Sequence, residues 1–223
     1  MSKELSTDFS PEVASTNRVA TSRVALDRET GNRVAGKPLT GIRATSGLRS
    51  AGIALAGTAV VALSAHVALP LGFTPVPMTL QPLAVLVLGL LLAPELAAVT
   101  LALYLAEGAM GLPVFAPTLP PTLGLAHLLG PTGGYLMAYP AAAALASWLY
   151  RRTGRGFGSG LLSAGAALAL VFTCGASWLA VWTHGPIQTV LAQAVLPFLP
   201  GAGLNVAAAA AVASGFNRLR SVR

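Results

Sequence analysis

Charge and cysteine are both scarce in this chain of 223 residues, and each scarcity excludes a class of protein. Only 9% of the residues are charged, whereas 54% are hydrophobic. A water-soluble domain of this size cannot cover so many apolar side chains with polar surface. The single cysteine, Cys174, excludes an intrachain disulfide and a cysteine-based metal cluster. The composition therefore predicts an integral membrane protein.

A polar segment, residues 1–47, comes before the first long apolar run and lacks the apolar core of a secretory signal peptide. Arg-Val-Ala recurs in it at 18–20, 23–25 and 33–35, but large apolar residues are too few to form a core. We expect a disordered cytoplasmic tail, with a docking motif as the alternative. The predicted transmembrane domain covers 48–217, and a basic cytoplasmic C-terminus covers 218–223.

Several apolar stretches approach the roughly 20 residues that are needed to cross a hydrocarbon core, and the chain is long enough for about six with short loops. The second is short, because its clearly apolar part reaches only about two-thirds of the core, and a packed, non-helical lead-in at 71–77 is expected to support it. The Pro/Gly-rich stretch 184–203 has room for a partial helix. The predicted fold class is an all-α bundle of six transmembrane helices. They lie near 51–69, 79–92, 96–110, 134–150, 160–182 and 204–216.

The 14 Lys and Arg residues occur before the first span, after the fourth and after the sixth, and nowhere else. With six spans they all lie on one side, and the positive-inside rule makes that side cytoplasmic, with both termini inside. This placement explains the net charge of +7 without nucleic acid as a partner, because no basic recognition face is needed. We expect a multi-pass plasma-membrane protein whose long loops, 70–78, 111–133 and 184–203, face outward.

Three of the predicted helices run from outside to inside, so their N-termini converge near the outer face. Such ends present free N–H groups and positive dipoles, which favour an anionic group. Gly133 and Gly134 would let a ligand approach the backbone, and Tyr135 offers a flat ring and a hydroxyl. Ordinary capping and turn formation is the alternative at each position. The candidate ligand-binding residues at these ends are Thr79, Gln81, Thr132, Gly133, Gly134, Tyr135 and Asn205.

Three motifs resemble signature stretches of the BioY family, the biotin-binding S components of energy-coupling-factor (ECF) vitamin transporters. They are FTPVPMTLQ at 73–81, GLPVFA at 111–116 and GPTGGYL at 130–136. The resemblance implies an S-component fold with a biotin pocket under the loops 70–78 and 111–133, which adds Phe115 to the candidate site. It also implies ECF coupling and ATPase subunits as partners. Gly52 and Ala56 would meet the coupling subunit, unless they pack within their own bundle.

Two positions depart from the family's pattern. The stretch PFLPG at 197–201 resembles a further signature, which an Asp and, three residues later, a Lys usually follow, but here these positions hold Ala202 and Asn205. A rewired biotin site, a related ligand and a degraded transporter are the three explanations. In a rewired site, Gln81 or Asn205 would serve the ureido group, and helix N-termini with hydroxyl groups would hold the carboxylate.

Glu107 is the one ionisable residue well inside the hydrophobic profile. A low dielectric and the negative end of a helix dipole both disfavour a carboxylate there, so we expect it to be paired or protonated. It either accepts a ligand N–H in place of the missing Asp or bonds to a neighbouring helix. Glu95, in contrast, is expected to open the third helix as a favourable N-terminal charge.

The sequence offers no catalytic set, metal site or cofactor site. His66, His127 and His184 have no companion at metal-ligand spacing, so satisfied or solvated histidines are expected. The stretch GPTGG at 130–134 lacks the Lys-Ser/Thr ending of a phosphate loop, so the chain does not hydrolyse ATP itself. The prediction is a biotin-capture and uptake subunit. The alternatives are a transporter of another small molecule, an intramembrane enzyme using Glu107 with a histidine, and a structural bundle.

Overall fold

The computed structural model describes residues 40–118 and 121–221, with side chains from residue 47 to residue 220 of those ranges. This part of the chain is mostly helical. Two short strands, β1 (Ala68–Leu69) and β2 (Met78–Thr79), pair in antiparallel register. A 3₁₀ turn at Leu196–Phe198 joins the last two helices. The helices are α1 (Thr40–His66), α2 (Gln81–Leu91), α3 (Pro94–Ala109), α4 (Leu125–Leu128), α5 (Gly133–Arg152), α6 (Phe157–Thr183), α7 (Ile187–Ala194) and α8 (Leu199–Ser221).

The chain divides into two compact units, Met1–Gly47 and Leu48–Arg223. Residues 40–47, the end of the predicted polar tail, belong to α1 and are helical. The rest of that tail, with its Arg-Val-Ala repeat, lies outside the described residues. At the other end, α8 continues through Ser221, so the predicted basic C-terminus is helical as far as the structure describes it.

Each of the six predicted spans corresponds to a helix, namely α1, α2, α3, α5, α6 and α8. The predicted partial helix after Thr183 is α7. Among the described residues, three segments are long and apolar enough to cross a membrane by length and composition: Gly47–His66, Phe157–Thr183 and Ile187–Arg220. Helix α2 is apolar but shorter. These helices support a membrane protein.

Helix α2 is short, and its two ends explain why. It has 11 residues and is therefore about 16 Å long, roughly half of a hydrocarbon core. Proline in its first turn fits a helix start, where the missing N–H has no intrahelical partner in any case. The predicted non-helical lead-in is present as the loop between β1 and β2. The first predicted span also ends earlier than expected, because Ala68 and Leu69 pair with β2 rather than continue α1.

The helices pack closely because their facing surfaces carry small side chains. Ala142, Ala143 and Ala146 of α5 are almost fully buried, as are Ala164 and Ala167 of α6. Small residues let helix backbones approach each other, which strengthens dispersion contacts. Ala143 and Ala146, for example, lie against Gly89 of α2, where an added Cβ would be 3.0 Å from the Ala143 carbonyl oxygen and 3.1 Å from the Ala146 Cβ.

One end of the bundle is fastened by hydrogen bonds between helix ends. The Ser147 hydroxyl donates to the carbonyl of Leu92 at 2.6 Å, which satisfies an acceptor at the end of α2. The Tyr150 hydroxyl donates to the carbonyl of Arg155 at 2.7 Å and accepts from the Asn217 amide at 3.0 Å. These bonds join α5 to α2, to the turn after α5 and to α8. A cavity lies at the opposite end of the bundle.

Candidate functional site

A cavity opens where the loop 76–79 meets the N-terminal ends of α2, α5 and α8. The empty space inside it, together with the open space at its mouth, amounts to about 750 Å³. The convergence of three helix N-termini inferred from charge placement is therefore present in the structure. The cavity is lined by Val76, Pro77, Met78, Thr79, Gln81, Pro82, Ala116, His127, Thr132, Tyr135, Leu136, Tyr139, Leu168, Val171, Phe172, Phe198, Gly201, Ala202 and Asn205.

The side-chain amide of Gln81 lies in the cavity wall with a fixed orientation. Its Nε2 donates to the Tyr104 hydroxyl at 2.9 Å, and that hydroxyl donates to the carbonyl of Val114 at 2.9 Å. Because the hydroxyl proton is already used, Tyr104 can only accept from Gln81, so the amide nitrogen and not its oxygen points at Tyr104. Gln81 is 3% exposed. Its carbonyl oxygen and one remaining N–H are therefore available for further hydrogen bonds.

Two further polar groups line the cavity with no hydrogen-bond partner among the described residues, Tyr139 and Asn205. Tyr139 is buried, at 4% exposure, yet its hydroxyl bonds to no protein group there. Asn205 is half-buried on the first turns of α8, one turn beyond Ala202. Both side chains therefore keep hydrogen-bonding capacity that no described protein group uses.

An aromatic stack lies behind the cavity wall, and of its members only His127, next to Thr132, lines the cavity. The rings of Phe115 and His127 stack with centroids 4.9 Å apart, and Tyr104 meets Phe115 edge-on at 5.4 Å. His127 Nε2 lies 3.5 Å from the Thr132 hydroxyl, and Nδ1 lies 3.2 Å from the Thr122 hydroxyl. His127 is thus a satisfied histidine, as predicted. Burial lowers the pKa of His127, which lies in the segment between α3 and α5, and a hydrogen bond to the Thr122 backbone opposes this only in part.

The loop between β1 and β2 is tied to α7 beside the cavity. The Thr74 hydroxyl donates to the carbonyl of Gln193 at 2.9 Å and accepts from the Val76 N–H at 3.2 Å. The Tyr135 hydroxyl donates to the carbonyl of Ala194 at 2.7 Å. Tyr135 therefore lines the cavity with its ring, whereas its hydroxyl is hydrogen-bonded to the last residue of α7. Thr79 lines the cavity from β2 and accepts the Gln81 backbone N–H at 3.4 Å.

Four of the predicted ligand-binding residues lie outside the cavity lining. Phe115 is buried behind it, in the aromatic stack. Glu107 accepts a hydrogen bond from Thr58 of α1 at 3.1 Å, which is the interhelical alternative for this carboxylate. A Cβ at Gly133 would meet the Leu128 carbonyl oxygen at 1.8 Å, and one at Gly134 would meet Trp178 Cβ at 2.2 Å. In the structure these two glycines allow neighbouring protein atoms to approach closely.

The predicted partner-contact residues lie on an open face of α1. Gly52 and Ala56 are exposed, and a Cβ added at Gly52 would meet nothing within 4 Å. Packing within the bundle uses a different face of the helix, where Gly57 faces Thr100 of α3. Within unit Leu48–Arg223, the surface of Gly52 and Ala56 is free to meet another protein or lipid.

Sequence reasoning missed Tyr139 as a cavity residue and assigned His127 only a structural role. The available signal for Tyr139 was its spacing, because it follows Tyr135 by one helical turn and so shares its face. For His127 the neighbouring sequence gave no such signal, since the tertiary fold alone brings α4 to the cavity. Both residues join Gln81, Thr132 and Asn205 as the polar lining.

The cavity has the composition of a site for a small, mostly uncharged molecule, and no Lys, Arg, Asp or Glu is among its lining residues. The sequence matches the model of the BioY family over residues 36–221. The chain belongs to the BioY family. This is a family of transporter components and not of enzymes, so the intramembrane-enzyme alternative falls away.

Relatives within the BioY family cover most of the membrane domain. The chain is 37% identical to a probable biotin transporter BioY of Pyrococcus horikoshii over 138 residues, 62% of this chain and 77% of that protein. It is 31% identical to the biotin transporter BioY of Thermotoga maritima over 163 residues, 73% of this chain and 92% of that protein.

The fold resembles a crystal structure described as the S-component for biotin from an ECF-type ABC transporter. The TM-score is 0.69 at 24% identity, and the likeness covers 78% of this chain and 93% of that chain. This likeness establishes the fold of an S-component for the BioY-family chain. Among the described residues, no group of three or more His, Cys, Asp or Glu is arranged to hold a metal ion.

Proposed function

We propose that the chain captures biotin at the cavity and carries it across the membrane as the S component of an ECF transporter. The single observation that carries this proposal is the Gln81 amide, held by Tyr104 in a small-molecule cavity of a BioY-family chain. The relatives named as biotin transporters support the choice of ligand.

The two rings of biotin each have a matching surface in the cavity. The ureido ring has two N–H donors and one carbonyl acceptor; the Gln81 and Asn205 amide oxygens can accept from the two N–H groups, and the remaining Gln81 N–H can donate to the carbonyl. The Tyr139 hydroxyl adds a group that donates and accepts. The sulfur-containing ring needs an apolar wall, which Leu168 and Val171 of α6 provide. The proposed ligand-binding residues that line the cavity are Thr79, Thr132, Tyr135 and Asn205. Four others would contact the ligand only if the ligand-bound form is rearranged, namely Glu107, Phe115, Gly133 and Gly134.

The proposed topology has six spans, α1, α2, α3, α5, α6 and α8, with both termini in the cytoplasm of a plasma-membrane protein. Its support is that every Lys and Arg lies at or before position 49, at 151–155 or at 218–223, and that 151–155 lie at the end of the bundle away from the cavity. The cavity then faces outward. The exposed face of Gly52 and Ala56 is the proposed contact with the coupling subunit, and ATPase subunits supply energy.

Uptake of labelled biotin tests this function in bacterial cells that lack their own biotin transporter. Cells that express the chain with ECF coupling and ATPase subunits are expected to accumulate biotin above cells with an empty vector. The variant Ala202→Trp, which fills the cavity, is expected to abolish uptake, whereas Gly158→Trp, at an open surface position, is expected to retain it. Equal uptake by the filled and open variants would contradict transport through this cavity.

Topology is tested separately by labelling single cysteines with a membrane-impermeant maleimide in intact cells. Cys174→Ser removes the native thiol, and Leu123→Cys or Gly156→Cys adds one exposed position at each end of the bundle. Labelling of position 123 in intact cells, and of position 156 only after permeabilisation, is expected. The reverse pattern would overturn the proposed orientation.

A further inference from the structure

His127 is the one side chain of the cavity lining that can become a cation near neutral pH. No Lys, Arg, Asp or Glu is among the lining residues. The sequence has no Lys or Arg between Arg49 and Arg151 or between Arg155 and Arg218. Any positive side chain that meets a bound anion in this cavity must therefore be His127, which is 2% exposed.

The two ring nitrogens of His127 face different surroundings. Nδ1 lies 3.4 Å from the carbonyl oxygen of Thr122, which can only accept, so Nδ1 carries the proton of the neutral ring. Nε2 then has the lone pair, and it lies 3.5 Å from the Thr132 hydroxyl. Thr132 lines the cavity, whereas Thr122 does not. A second proton on the ring would therefore be added at Nε2, on the side of Thr132 and the cavity.

This edge of His127 lies where an anionic group is favoured. Thr132 directly precedes α5, and the first turn of that helix presents a positive dipole end. The Thr132 hydroxyl makes one hydrogen bond in the described part of the chain, the long contact to Nε2. It can turn to donate to a carboxylate, and a protonated Nε2 would add a charge-assisted bond, about twice as strong as a neutral one.

Other titratable side chains near His127 do not compete for this role. Helix α3 carries Tyr104 and Glu107, and the Glu107 carboxylate is bonded to α1 and lies outside the lining. Helix α5 carries Tyr135 and Tyr139, whose phenols lose a proton only in strongly alkaline solution. The lining residues of α2, α6 and α8 have no ionisable side chain.

We infer that His127 determines specificity for the carboxylate of biotin: Nε2 and the Thr132 hydroxyl bind it, and the imidazole takes up a proton from solution as the ligand enters. The inference rests on the proposed function, because it assumes biotin as the ligand. It adds a contact for the carboxylate to the contacts already proposed for the two rings.

Binding linked to proton uptake becomes tighter as the pH falls. In the free protein burial lowers the pKa of His127, so the ring is neutral at pH 8. A carboxylate beside Nε2 favours the charged ring, so the complex holds one proton more than the free protein and free ligand. The carboxylate of biotin stays ionised throughout, since carboxyl groups of this kind titrate near about 4.3.

The test measures biotin affinity at pH 8 and pH 6 on the purified full-length protein in detergent, by competition against labelled biotin. The dissociation constant of biotin is expected to be at least about fivefold lower at pH 6. Biotin methyl ester, which has no negative charge, is expected to lack this tightening. Calorimetry at pH 7 in two buffers of different ionisation enthalpy is expected to show proton uptake with biotin and none with the ester.

His127→Gln keeps a polar side chain that cannot become charged, and its biotin affinity is expected to be the same at both pH values. The control His184→Asn replaces an exposed histidine outside the cavity and is expected to keep the wild-type tightening. Wild-type affinity that stays constant or weakens at pH 6, or tightening that the ester or His127→Gln also shows, overturns the inference and leaves biotin capture intact. An absence of saturable biotin binding at either pH overturns the proposed function, and the inference with it.

Discussion

The amide nitrogen of Gln81 donates to the hydroxyl of Tyr104 at 2.9 Å, and the same pairing recurs at the other end of the bundle between Asn217 and Tyr150 at 3.0 Å. Both tyrosines are almost fully buried. Each hydroxyl also donates a hydrogen bond to a backbone carbonyl, Tyr104 to that of Val114 and Tyr150 to that of Arg155. The chain thus contains two chemically matched amide and phenol pairs, of which only one lies at the cavity.

The variants Tyr104→Phe and Tyr150→Phe use this match to separate binding from stability. Each removes an acceptor and leaves a side-chain amide N–H unpaired, so each is expected to lower the free energy of unfolding by about 1–3 kcal/mol. Only Tyr104→Phe also frees the Gln81 amide to rotate, and biotin affinity is expected to fall by about tenfold. Thermal unfolding and equilibrium biotin binding measure the two effects.

Equal affinities for the two variants would show that the orientation of Gln81 does not matter for the ligand. Loss of affinity in Tyr150→Phe alone would indicate that biotin binds at the end of the bundle near Tyr150 and not at the cavity.

Tyr139 and Tyr135 form a second informative pair, one helical turn apart on α5. The Tyr139 hydroxyl has no protein partner in the described part of the chain, so Tyr139→Phe is expected to change the free energy of unfolding by less than about 0.5 kcal/mol. Loss of a bond to the ligand is expected to weaken biotin binding by about three- to tenfold. Tyr135→Phe is the control, because it removes the bond to Ala194 and destabilises the fold. Unchanged affinity in Tyr139→Phe would exclude its hydroxyl from the site.

His127 makes stability depend on pH. Burial lowers its pKa in the folded state, whereas in the unfolded chain it titrates near its ordinary value of about 6.5. The unfolded state therefore takes up a proton first as the pH falls below about 6.5, and this stabilises the unfolded state. The melting temperature of the wild-type protein in detergent is expected to fall between pH 7.5 and pH 5.5 by more than that of His127→Gln.

The control for this prediction is His184→Asn. His184 is exposed and has a φ of 52°, a backbone conformation that Asn adopts readily. It is expected to keep the wild-type pH dependence. If the melting temperature of His127→Gln depends on pH as strongly as that of the wild-type protein, another group is responsible.

Gly134 is expected to be needed for helix packing rather than for ligand contact. In Gly134→Ala the new Cβ would lie 2.2 Å from Trp178 Cβ and 2.7 Å from the Cys174 carbonyl oxygen, so α5 and α6 must move apart. A loss of about 1–3 kcal/mol in unfolding free energy is expected. Gly165→Ala, in open space on α6, is expected to be neutral or to stabilise by up to about 1 kcal/mol. A stable Gly134→Ala protein that fails only in biotin binding would restore the predicted ligand role.

The positions of the long helices could be predicted because continuous apolar runs and the placement of Lys and Arg act over many residues at once. The convergence of the N-termini of α2, α5 and α8 followed from the same charges. The β1 and β2 pairing could not be predicted, because two residues on each side give no periodic pattern. This pairing ends the first span before Ala68 and holds the loop between β1 and β2 beside the cavity.

Individual contacts in the site depended on tertiary packing that local sequence does not encode. Glu107 meets Thr58, which is 49 residues away, so the choice between a ligand and a neighbouring helix was open until the helices were placed. Gly133 and Gly134 looked like a ligand-binding turn, but Leu128 and Trp178 fill the space beside them. Tyr139, in contrast, could have been found from the sequence, because it follows the predicted site residue Tyr135 by one helical turn.

Equilibrium binding of labelled biotin to the purified protein tests the central claim most directly, with Gln81→Leu as the matched apolar variant. The wild-type protein is expected to bind biotin saturably, with micromolar or tighter affinity and displacement by unlabelled biotin. Gln81→Leu removes the oriented amide and is expected to weaken binding by at least about tenfold. An absence of saturable binding to the wild-type protein, or equal binding by Gln81→Leu, would contradict the assignment of this cavity as a biotin site.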